Sequence, residues 1–524
     1  MPTTASSVNL SPAISPNRAL WIGGLCVALL TIAAHIGGLR GQFVEWDDTT
    51  HITQNPAIRA LTLDNLRAMF TQPVAKLYCP LTWLSFAFDY QLWGREPFGY
   101  HLTNLLLHLA NTLLVLVLVY RLLEDRLAHA RPAAVLTAAI FGVHPLRAES
   151  VAWVTERKDV LFAFFFLLAL LAYRRWVLDR RRGAYGTCLL LFVAAALSKS
   201  TAVTFPVVLL LLDIFWQRRR AFAEKIPFFL VSAIIGVVTF AAQSGGTGQT
   251  VATADIIPVW GRAGLVGFCA LFYVGKFLWP ANLTAIYPAF DEMGWRPLHA
   301  AGWLLALLVV TGIVFALHRR APLLWPAWLF YLVTLSPTIG LVPVGIHVVA
   351  DRFSYLPLLG LALPVAVGFA GMLRAWPKLF FIPAALVAGL AALTVKQTKI
   401  WRDTETLFQH ALAANPNCLP AHVNLTVWYT QRKQYNDAIA HGQRAVAIAP
   451  QGLPGRKNLA FALINAGRYH EAVTVLRDAV DAGVADADVW RALAECFTAL
   501  GDEPNARAAR EQLQRLNASL KTPD

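Results

Sequence analysis

The chain has 524 residues, of which 57% are hydrophobic and only 15% are charged, and its mean hydropathy is +0.51. This composition is too apolar for a soluble protein of that length and indicates a membrane protein. The formal net charge of +14 would suggest a nucleic-acid partner in a soluble protein. Here the positive charges stand mostly between apolar runs, without interleaved aromatic residues. We therefore attribute them to membrane topology and expect no nucleic-acid partner.

Long apolar runs fill the chain between residues 19 and 399. Residues 1–18 before them are rich in Ser, Pro and Thr and predict a disordered N-terminus. The first run, at about 19–38, is long enough to span a bilayer and predicts an uncleaved anchor. Further spans are predicted near 101–120, 132–144, 151–172, 185–198, 201–216, 226–243, 300–317, 323–343, 354–373 and 379–395. The sequence therefore predicts an all-α polytopic membrane domain over residues 19–399.

Arginine clusters between the apolar runs set the expected orientation. The arginines within 174–182 and within 218–220 each follow an even number of predicted spans, which places them and the N-terminus in the cytoplasm. If the apolar segment 259–280 crosses as well, the later basic residues lie outside. If that segment is re-entrant or interfacial, they lie inside. The positive-inside rule therefore favours eleven crossings, with the C-terminus outside the cytoplasm.

After about residue 399 the sequence becomes a soluble-looking repeat with a period of 34 residues. This is the spacing of tetratricopeptide repeats, in which each unit is a helix–turn–helix stacked on its neighbours. Residues at equivalent positions in successive units are Leu425, Leu459 and Leu493, and, in a second column, Ala438, Ala472 and Ala506.

The repeat spacing predicts a separate domain over residues 400–524. Its full units are expected at about 419–452, 453–486 and 487–520, after a half-unit helix at about 401–414. Three units are near the minimum for a stable stack. Two uses of this α-solenoid stay open: its groove binds an acceptor polypeptide, or the array serves only assembly and packing.

Two adjacent carboxylates, Asp47 and Asp48, stand in the loop after the first predicted span. Carboxylates that repel each other beside a low-dielectric surface have raised pKa values, which suits a general base near neutral pH. On spacing alone, a solvated loop with an Asx turn before Pro56 is the alternative interpretation.

The second expected outer loop carries a larger group of ionisable residues. If this segment is helical, Glu149, Glu156 and Asp159 share one face. Ionisable side chains that run into a span usually face a cavity or one another. The alternative interpretation is a local charge cluster at the interface, formed by Glu156 with Lys158 or by Arg157 with Asp159.

Two cations stand at the expected outer ends of spans. Lys199 lies between two apolar runs, and Arg352 follows Asp351 just before a span. A cation at the outer mouth of a membrane cavity can hold a lipid phosphate, and arginine can do so with two parallel hydrogen bonds. The alternative for both residues is snorkelling of a long side chain to the interface.

Short motifs in a fixed order extend over nearly the whole chain. They are Trp46-Asp47-Asp48 with Asn55-Pro56; Pro80-Leu81-Thr82; Phe98-Gly99-Tyr100-His101; His144-Pro145 with Glu149-Ser150-Val151-Ala152; Arg157 with Asp159; Asp351-Arg352-Phe353 with Tyr355-Leu356-Pro357; and Trp401-Arg402-Asp403. Their order, with the appended repeats, resembles the transmembrane and tetratricopeptide-repeat-containing proteins. These are relatives of the protein O-mannosyltransferases in the C-type glycosyltransferase superfamily. The resemblance implies a C-type glycosyltransferase-like bundle of about 11 spans followed by a tetratricopeptide α-solenoid.

The resemblance also implies an activity: inverting transfer of a mannose-like sugar from a polyprenyl-phosphate donor to a protein hydroxyl, on the non-cytoplasmic face. In such enzymes an acidic residue of the first outer loop takes the proton of the acceptor hydroxyl, and cations stabilise the departing phosphate. The composition looks bacterial, which implies an undecaprenyl-type carrier, a location in the bacterial inner membrane and periplasmic repeats.

The resemblance assigns roles residue by residue. Asp47 is the first choice for the base and Asp48 the second. Arg352 is the first choice for the donor phosphate, with Lys199 and Arg157 next. The residues that would orient sugar and acceptor are His144, Glu149, Asp159 and Tyr355. Two positions depart from the family pattern: Lys199 is followed by Ser200 where Glu is usual, and Glu156 replaces a small residue.

Neither a metal nor a cofactor is expected. The six cysteines form no CxxC pair and no metal-ligand spacing, and we interpret them as packing residues. A phosphate ester already activates the anomeric carbon of the sugar, so transfer needs no metal. Two other functions stay open: the same chemistry on a glycolipid or envelope polysaccharide, and a non-catalytic membrane scaffold or transporter that presents the repeats.

Overall fold

The computed structural model of the protein describes residues 16–244, 258–288, 293–339 and 348–519. These residues are mostly helical, and their only β-pairing is an isolated bridge between Val74 and Leu77. Of the expected disordered N-terminus, residues 1–15 lie outside the described ranges, whereas residues 16–18 already belong to the first helix. The chain divides into two compact units, and residues 42–50 and 284–288 fall in the second one.

The first unit comprises the remaining residues up to 399 and holds the apolar helices. Its α-helices in the described ranges are α1 (Pro16–His35), α2 (Leu63–Thr71), α3 (Pro80–Trp93), α4 (Pro97–Leu123), α5 (Ala130–Val143), α6 (Ala148–Ala152), α7 (Arg157–Asp179), α8 (Arg182–Ser198), α9 (Phe205–Leu212), α10 (Ile226–Ser244), α11 (Val259–Leu278), α12 (Pro297–Ala316), α13 (Leu324–Leu335), α14 (Leu358–Ala375) and α15 (Phe381–Thr398).

Nine helices in the described ranges are long and apolar enough to cross a membrane, so the chain is an integral membrane protein. Eight of them coincide with predicted spans. The ninth, Trp260–Leu278, is the segment that the charge rule favoured as re-entrant or interfacial, and its length permits a crossing. Three predicted spans correspond to the shorter helices α5, α8 and α13. The 14 residues of α5 extend only about 21 Å, less than the hydrocarbon core of about 30 Å. The number of crossings therefore stays a prediction.

Helix α5 lies at the centre of the first unit and packs against α1, α4 and α14. Its small residues allow this close packing, because they leave room for neighbouring backbones. A Cβ atom at Gly142 would approach Thr31 Oγ1 to 2.4 Å and the Thr112 methyl to 2.8 Å. The buried core around α5 also contains α7, whose residues Phe166 and Leu170 face it.

The second unit is a stack of helix pairs. Its helices in the described part of the chain are α16 (Thr404–Ala414), α17 (Leu419–Gln431), α18 (Tyr435–Ile448), α19 (Leu453–Asn465), α20 (Tyr469–Asp481), α21 (Ala487–Ala499) and α22 (Glu503–Ser519). The first helices of successive pairs begin at residues 419, 453 and 487, which reproduces the 34-residue period. Both predicted columns, of leucines and of alanines, are buried between helices. The expected tetratricopeptide architecture is thus confirmed.

The turn inside each helix pair requires a left-handed backbone. Gly467 and Gly501 occupy this position in the second and third pairs, with φ of +73° and +75°. Lys433 occupies it in the first pair, with φ of +60°. Glycine adopts this conformation without a steric cost, whereas a side chain at Cβ makes it unfavourable. The first pair therefore carries backbone strain at Lys433, whereas the second and third pairs have glycine at the equivalent position.

Candidate functional site

The connection between α5 and α7 is broken into three short pieces, and these pieces build the site. They are a 3₁₀ turn at Pro145–Arg147, the short helix α6 and a second 3₁₀ turn at Val154–Glu156. Pro145 removes one backbone donor, and the His144 side chain accepts a hydrogen bond from the Leu146 N–H at 3.3 Å. Trp153 is extended, with φ −83° and ψ 118°, so α6 cannot continue into α7. The chain reverses locally and turns three acidic side chains toward one place.

These acids form a buried cluster with three cations from separate parts of the first unit. The acids are only 1–2% exposed, whereas the cations are 9–14% exposed. The acidic groups are therefore more buried than the cationic ones. We call this group the carboxylate–cation cluster; it consists of Glu149, Glu156, Lys158, Asp159, Lys199 and Arg352.

Arg352 pairs with two of the acids. Its guanidinium donates to Glu149 Oε1, and its own backbone N–H donates to Glu149 Oε2 at 3.1 Å. Arg352 Nε lies 3.3 Å from Glu156 Oε1. The guanidinium also lies against the rings of Trp153 and Phe353, at 5.5 and 5.0 Å from their centroids. These contacts hold its charge in one orientation.

The two lysines complete the cluster. Lys158 Nζ lies 3.0 Å from Glu156 Oε1, and Lys199 Nζ lies 3.9 Å from Glu156 Oε2. Lys199 also donates to Asp159 Oδ1. Glu156, whose charge the sequence left unexplained, is thus the carboxylate that all three cations share. Lys158 entered the sequence analysis only as a possible local partner of Glu156, because nothing local marks it as part of a larger site.

Arg147 and Tyr273, which sequence reasoning missed, fix the segment that carries Arg352. The Tyr273 hydroxyl accepts from the Ala350 N–H at 3.0 Å and donates to its carbonyl at 2.9 Å. On the other side of Arg352, Arg147 donates to the carbonyls of Ser354 and Tyr355 at 3.1 and 2.5 Å. No sequence motif distinguishes these buried hydrogen-bond donors from ordinary interfacial residues.

The structure argues against a phosphate role for Arg157. This guanidinium is fully buried and lies 2.5 Å from Asp89. It also donates to Asn104 Oδ1 and to the Tyr100 carbonyl, both at 2.7 Å, and its flat face covers the Phe86 ring. All these partners belong to α3 and α4. Arg157 therefore joins α7 to these helices and has no side facing a ligand.

Two further expected site residues are packed inside the unit. Both ring nitrogens of His144 are used, because Nδ1 accepts from Leu146 N–H and Nε2 contacts the Phe277 carbonyl at 3.1 Å. The Tyr355 hydroxyl is bound to His108 and Asn111, at 2.7 and 3.1 Å, inside the hydrophobic core. Neither residue has the placement expected of a sugar contact, and we interpret both as structural.

Asp47 and Asp48 belong to the second unit, where the segment 42–50 packs on the start of the repeats. The Glu45 N–H donates to Thr404 Oγ1 at 2.8 Å, and Trp46 lies against Phe408. Asp48 is buried, and its Oδ2 accepts the Val44 N–H at 2.8 Å. Asp47 is only partly buried. Of the two carboxylates, Asp47 is therefore the more accessible to an acceptor.

Two groups at or near the cluster have altered acidities. Burial raises the pKa of the Glu149 carboxyl, and the positive charge of Arg352 opposes that shift. His51 is buried, and burial together with the charge of Lys158 lowers its pKa to about 4. His51 is therefore neutral near pH 7. It therefore adds no charge to the cluster.

Two family models match parts of the chain. Residues 89–243 match the model described as dolichyl-phosphate-mannose-protein mannosyltransferase, and residues 429–496 match a tetratricopeptide repeat model. The first match contains every member of the carboxylate–cation cluster except Arg352. The second lies within the stacked helix pairs of the second unit.

Several curated relatives are named protein O-mannosyl-transferases. Tmtc1 of Drosophila melanogaster is 25% identical over 439 residues, which cover 64% of this chain and 50% of the relative. TMTC1 of Mus musculus is 35% identical over 199 residues, covering 34% and 20%. TMTC4 of Homo sapiens is 26% identical over 474 residues, covering 76% and 63%. The chain spans about half the length of several of the relatives that it matches.

Among solved structures, ArnT from Cupriavidus metallidurans bound to undecaprenyl phosphate aligns with a TM-score of 0.36 and 15% identity, over 87% of this chain and 80% of that one. The two family models and the curated relatives confirm the resemblance that the sequence motifs indicated. The chain combines a membrane region that matches a mannosyltransferase model with tetratricopeptide repeats, and it is similar to the protein O-mannosyl-transferases.

Proposed function

We propose that this protein is a membrane glycosyltransferase. It transfers a mannose-like sugar from a polyprenyl-phosphate donor to a hydroxyl of a protein acceptor, with inversion, on the non-cytoplasmic face. The observation that carries the proposal is the carboxylate–cation cluster, in which three cations are held by three buried acids. The names of the curated relatives support the sugar and the protein acceptor.

The cations of the cluster bind the phosphate of the donor. The donor is a phosphodiester with one negative charge, and the departing polyprenyl phosphate is a monoester that carries more. Because the charge on the phosphate grows as the glycosidic bond breaks, cations fixed beside it stabilise the transition state more than the ground state. Arg352 makes the main contact, and Lys199 and Lys158 flank it. Glu149, Glu156 and Asp159 act as positioning residues that orient these cations.

The acceptor oxygen attacks the anomeric carbon from the side opposite the phosphate, which inverts the configuration. The oxygen–carbon bond forms as the carbon–phosphate-oxygen bond breaks, and the acceptor proton passes to the base. We assign the base to Asp47. This role rests on the motif resemblance and on the greater exposure of Asp47 relative to Asp48. No metal or cofactor is included, since the cations supply the charge that the departing phosphate needs.

The arginines within 174–182 and within 218–220 support an orientation in which these segments face the cytoplasm of a bacterial inner membrane. The repeat unit is then periplasmic, where its groove holds acceptor polypeptide. Reporter fusions after residues 220, 298 and 524 test this orientation. A cytoplasmic signal at the last position refutes the periplasmic location of the repeats.

Reconstitution tests the proposed reaction. The purified protein in nanodiscs receives a short-chain polyprenyl-phosphate mannose and a set of Ser/Thr peptides, and mass spectrometry follows the peptides. We expect a mass gain of one hexose on hydroxyl residues, lost in Asp47→Asn. Arg374→Lys, a change at an exposed arginine on α14, serves as the control for expression and purification of a variant and should keep the activity. Transfer to lipid with none to peptide would favour the glycolipid alternative, and absence of any transfer or hydrolysis would favour the scaffold.

A further inference from the structure

A cavity of about 400 Å³ lies at the end of the first unit away from the carboxylate–cation cluster. It lies between the C-terminal ends of α4 and α7 and the segment after α9. Arg174 in its wall is fifteen residues beyond Asp159 on α7, which corresponds to about 22 Å along the helix. The cavity is therefore separate from the proposed donor site and is within the size range of ligand pockets.

Positive charge dominates the wall of this cavity, which contains Arg121, Arg126, Arg174 and Arg218. Glu124 is shared by two of them, at 3.3 Å from Arg121 and 3.2 Å from Arg174. Asp125 is the other acid beside the cavity. Four guanidiniums thus face two carboxylates, and the excess of positive charge favours an anionic ligand. Guanidiniums are well suited to phosphate oxygens, because they donate parallel hydrogen bonds.

A second, apolar crevice of about 60 Å³ borders the basic cavity. Leu122 and Trp216 line both spaces, so the two are adjacent. The walls of the crevice are apolar side chains of α4, α7, α9, α13 and α14, among them Leu118, Leu170 and Leu363. A basic cavity beside an apolar crevice matches a molecule with an anionic head and a hydrocarbon chain.

We propose that this pair of spaces binds an anionic glycerophospholipid, with its phosphate among the arginines and one acyl chain along the crevice. The excess positive charge disfavours a zwitterionic lipid. A free phosphate has no hydrocarbon chain and would leave the apolar crevice unfilled. Basic pockets between membrane helices are a known physical solution for holding anionic head groups. The proposal does not depend on the transfer reaction, because the two sites lie at opposite ends of α7.

Native mass spectrometry of the full chain tests the proposal, with phosphatidylglycerol and phosphatidylcholine as probes. Wild type is expected to retain phosphatidylglycerol at least tenfold better than phosphatidylcholine. The double variant Arg121→Gln/Arg218→Gln should lose most of this preference, and both residues are exposed enough to tolerate the change. The matched control, Arg175→Gln/Arg181→Gln, removes the same charge from neighbouring exposed positions outside the cavity. It should keep the preference.

Four outcomes would overturn the proposal. If both double variants lose the preference for phosphatidylglycerol equally, the lipid is attracted by general surface charge. If wild type retains phosphatidylglycerol and phosphatidylcholine equally, selection by charge is excluded. Inorganic phosphate that displaces the lipid at equal concentration would indicate a free-phosphate site. Farnesyl phosphate that displaces it preferentially would indicate a carrier lipid instead. Leu122→Trp, which fills space beside both the cavity and the crevice, should weaken phosphatidylglycerol binding.

Discussion

Arg352 can be removed from the carboxylate–cation cluster in a way that separates folding from donor binding. The single variant Arg352→Gln leaves Glu149 without its cation. At 3.3 Å and an effective dielectric constant of about 20, the Arg352–Glu156 attraction alone is about 5 kcal/mol before desolvation is subtracted. Breaking a buried pair by removing one partner typically costs about 3–5 kcal/mol. We therefore expect the single variant to lose several kcal/mol of folding stability.

The double variant Glu149→Gln/Arg352→Gln removes both charges together. Glu156 keeps Lys158 at 3.0 Å and Lys199 at 3.9 Å, so no buried acid is left without a cation. Replacing both members of a buried pair is often nearly neutral for stability. We therefore expect the double variant to unfold close to the wild-type temperature. A charged hydrogen bond contributes about 1.5–3 kcal/mol, so its donor affinity should fall roughly 10- to 100-fold.

Thermal unfolding in detergent and binding of a short-chain polyprenyl-phosphate sugar measure the two effects. Arg374→Gln on the exposed surface controls for the loss of one arginine and should change neither quantity. If the double variant is folded and binds the donor as tightly as wild type, Arg352 does not contact the phosphate. Lys199 then becomes the first candidate, because it also stands at the exposed side of the cluster.

Three further predictions concern other parts of the chain. Asp47→Asn should lower turnover about 10²- to 10⁴-fold with donor affinity unchanged, whereas Asp48→Asn should mainly lower stability; the reverse pattern in a turnover assay would move the base by one residue. Lys433→Gly should relieve about 1 kcal/mol of left-handed strain, and Gly467→Lys should add a similar strain; equal unfolding temperatures for both would contradict the strain at Lys433. The folded-state pKa of His51 lies near 4 and its ordinary value near 6.5, so between these pH values only the unfolded chain takes up the proton. Stability should fall by up to about 3 kcal/mol as pH drops through that window, and a pH–stability curve of His51→Gln that is as steep as wild type would refute this.

The fold could be predicted from the sequence because its signals are local. Apolar length identifies the spans, and the 34-residue columns identify the repeats, whose leucines and alanines are buried as expected. The segment around Trp153 was harder. The sequence there contains no Pro or Gly that would end a helix. The Asn104 side chain donates to the Trp153 carbonyl at 3.2 Å, and this contact from a distant helix stabilises the break.

The site could be predicted only in part. The acids Glu149 and Asp159 and the cations Lys199 and Arg352 do come together, as their places at the expected outer ends of spans suggested. Arg157 could not be distinguished from them by sequence, because its partner Asp89 lies on another helix and only tertiary structure joins the two. The central place of Glu156 was hidden for the same reason, since two of its three cations are distant in sequence.

The balance of charge within the carboxylate–cation cluster has a kinetic consequence. A group with as many acids as cations projects little electric field beyond about a Debye length, so it cannot draw a charged lipid from afar. Under the proposed function, capture of the donor then depends on diffusion of the lipid within the plane of the bilayer and on direct collision with Arg352. On-rates set in this way vary little with ionic strength. Under the proposed function, the donor phosphate also competes with Glu149 for the Arg352 guanidinium. Anions that bind weakly would lose this competition, and only an anion that fits the site well would stay bound.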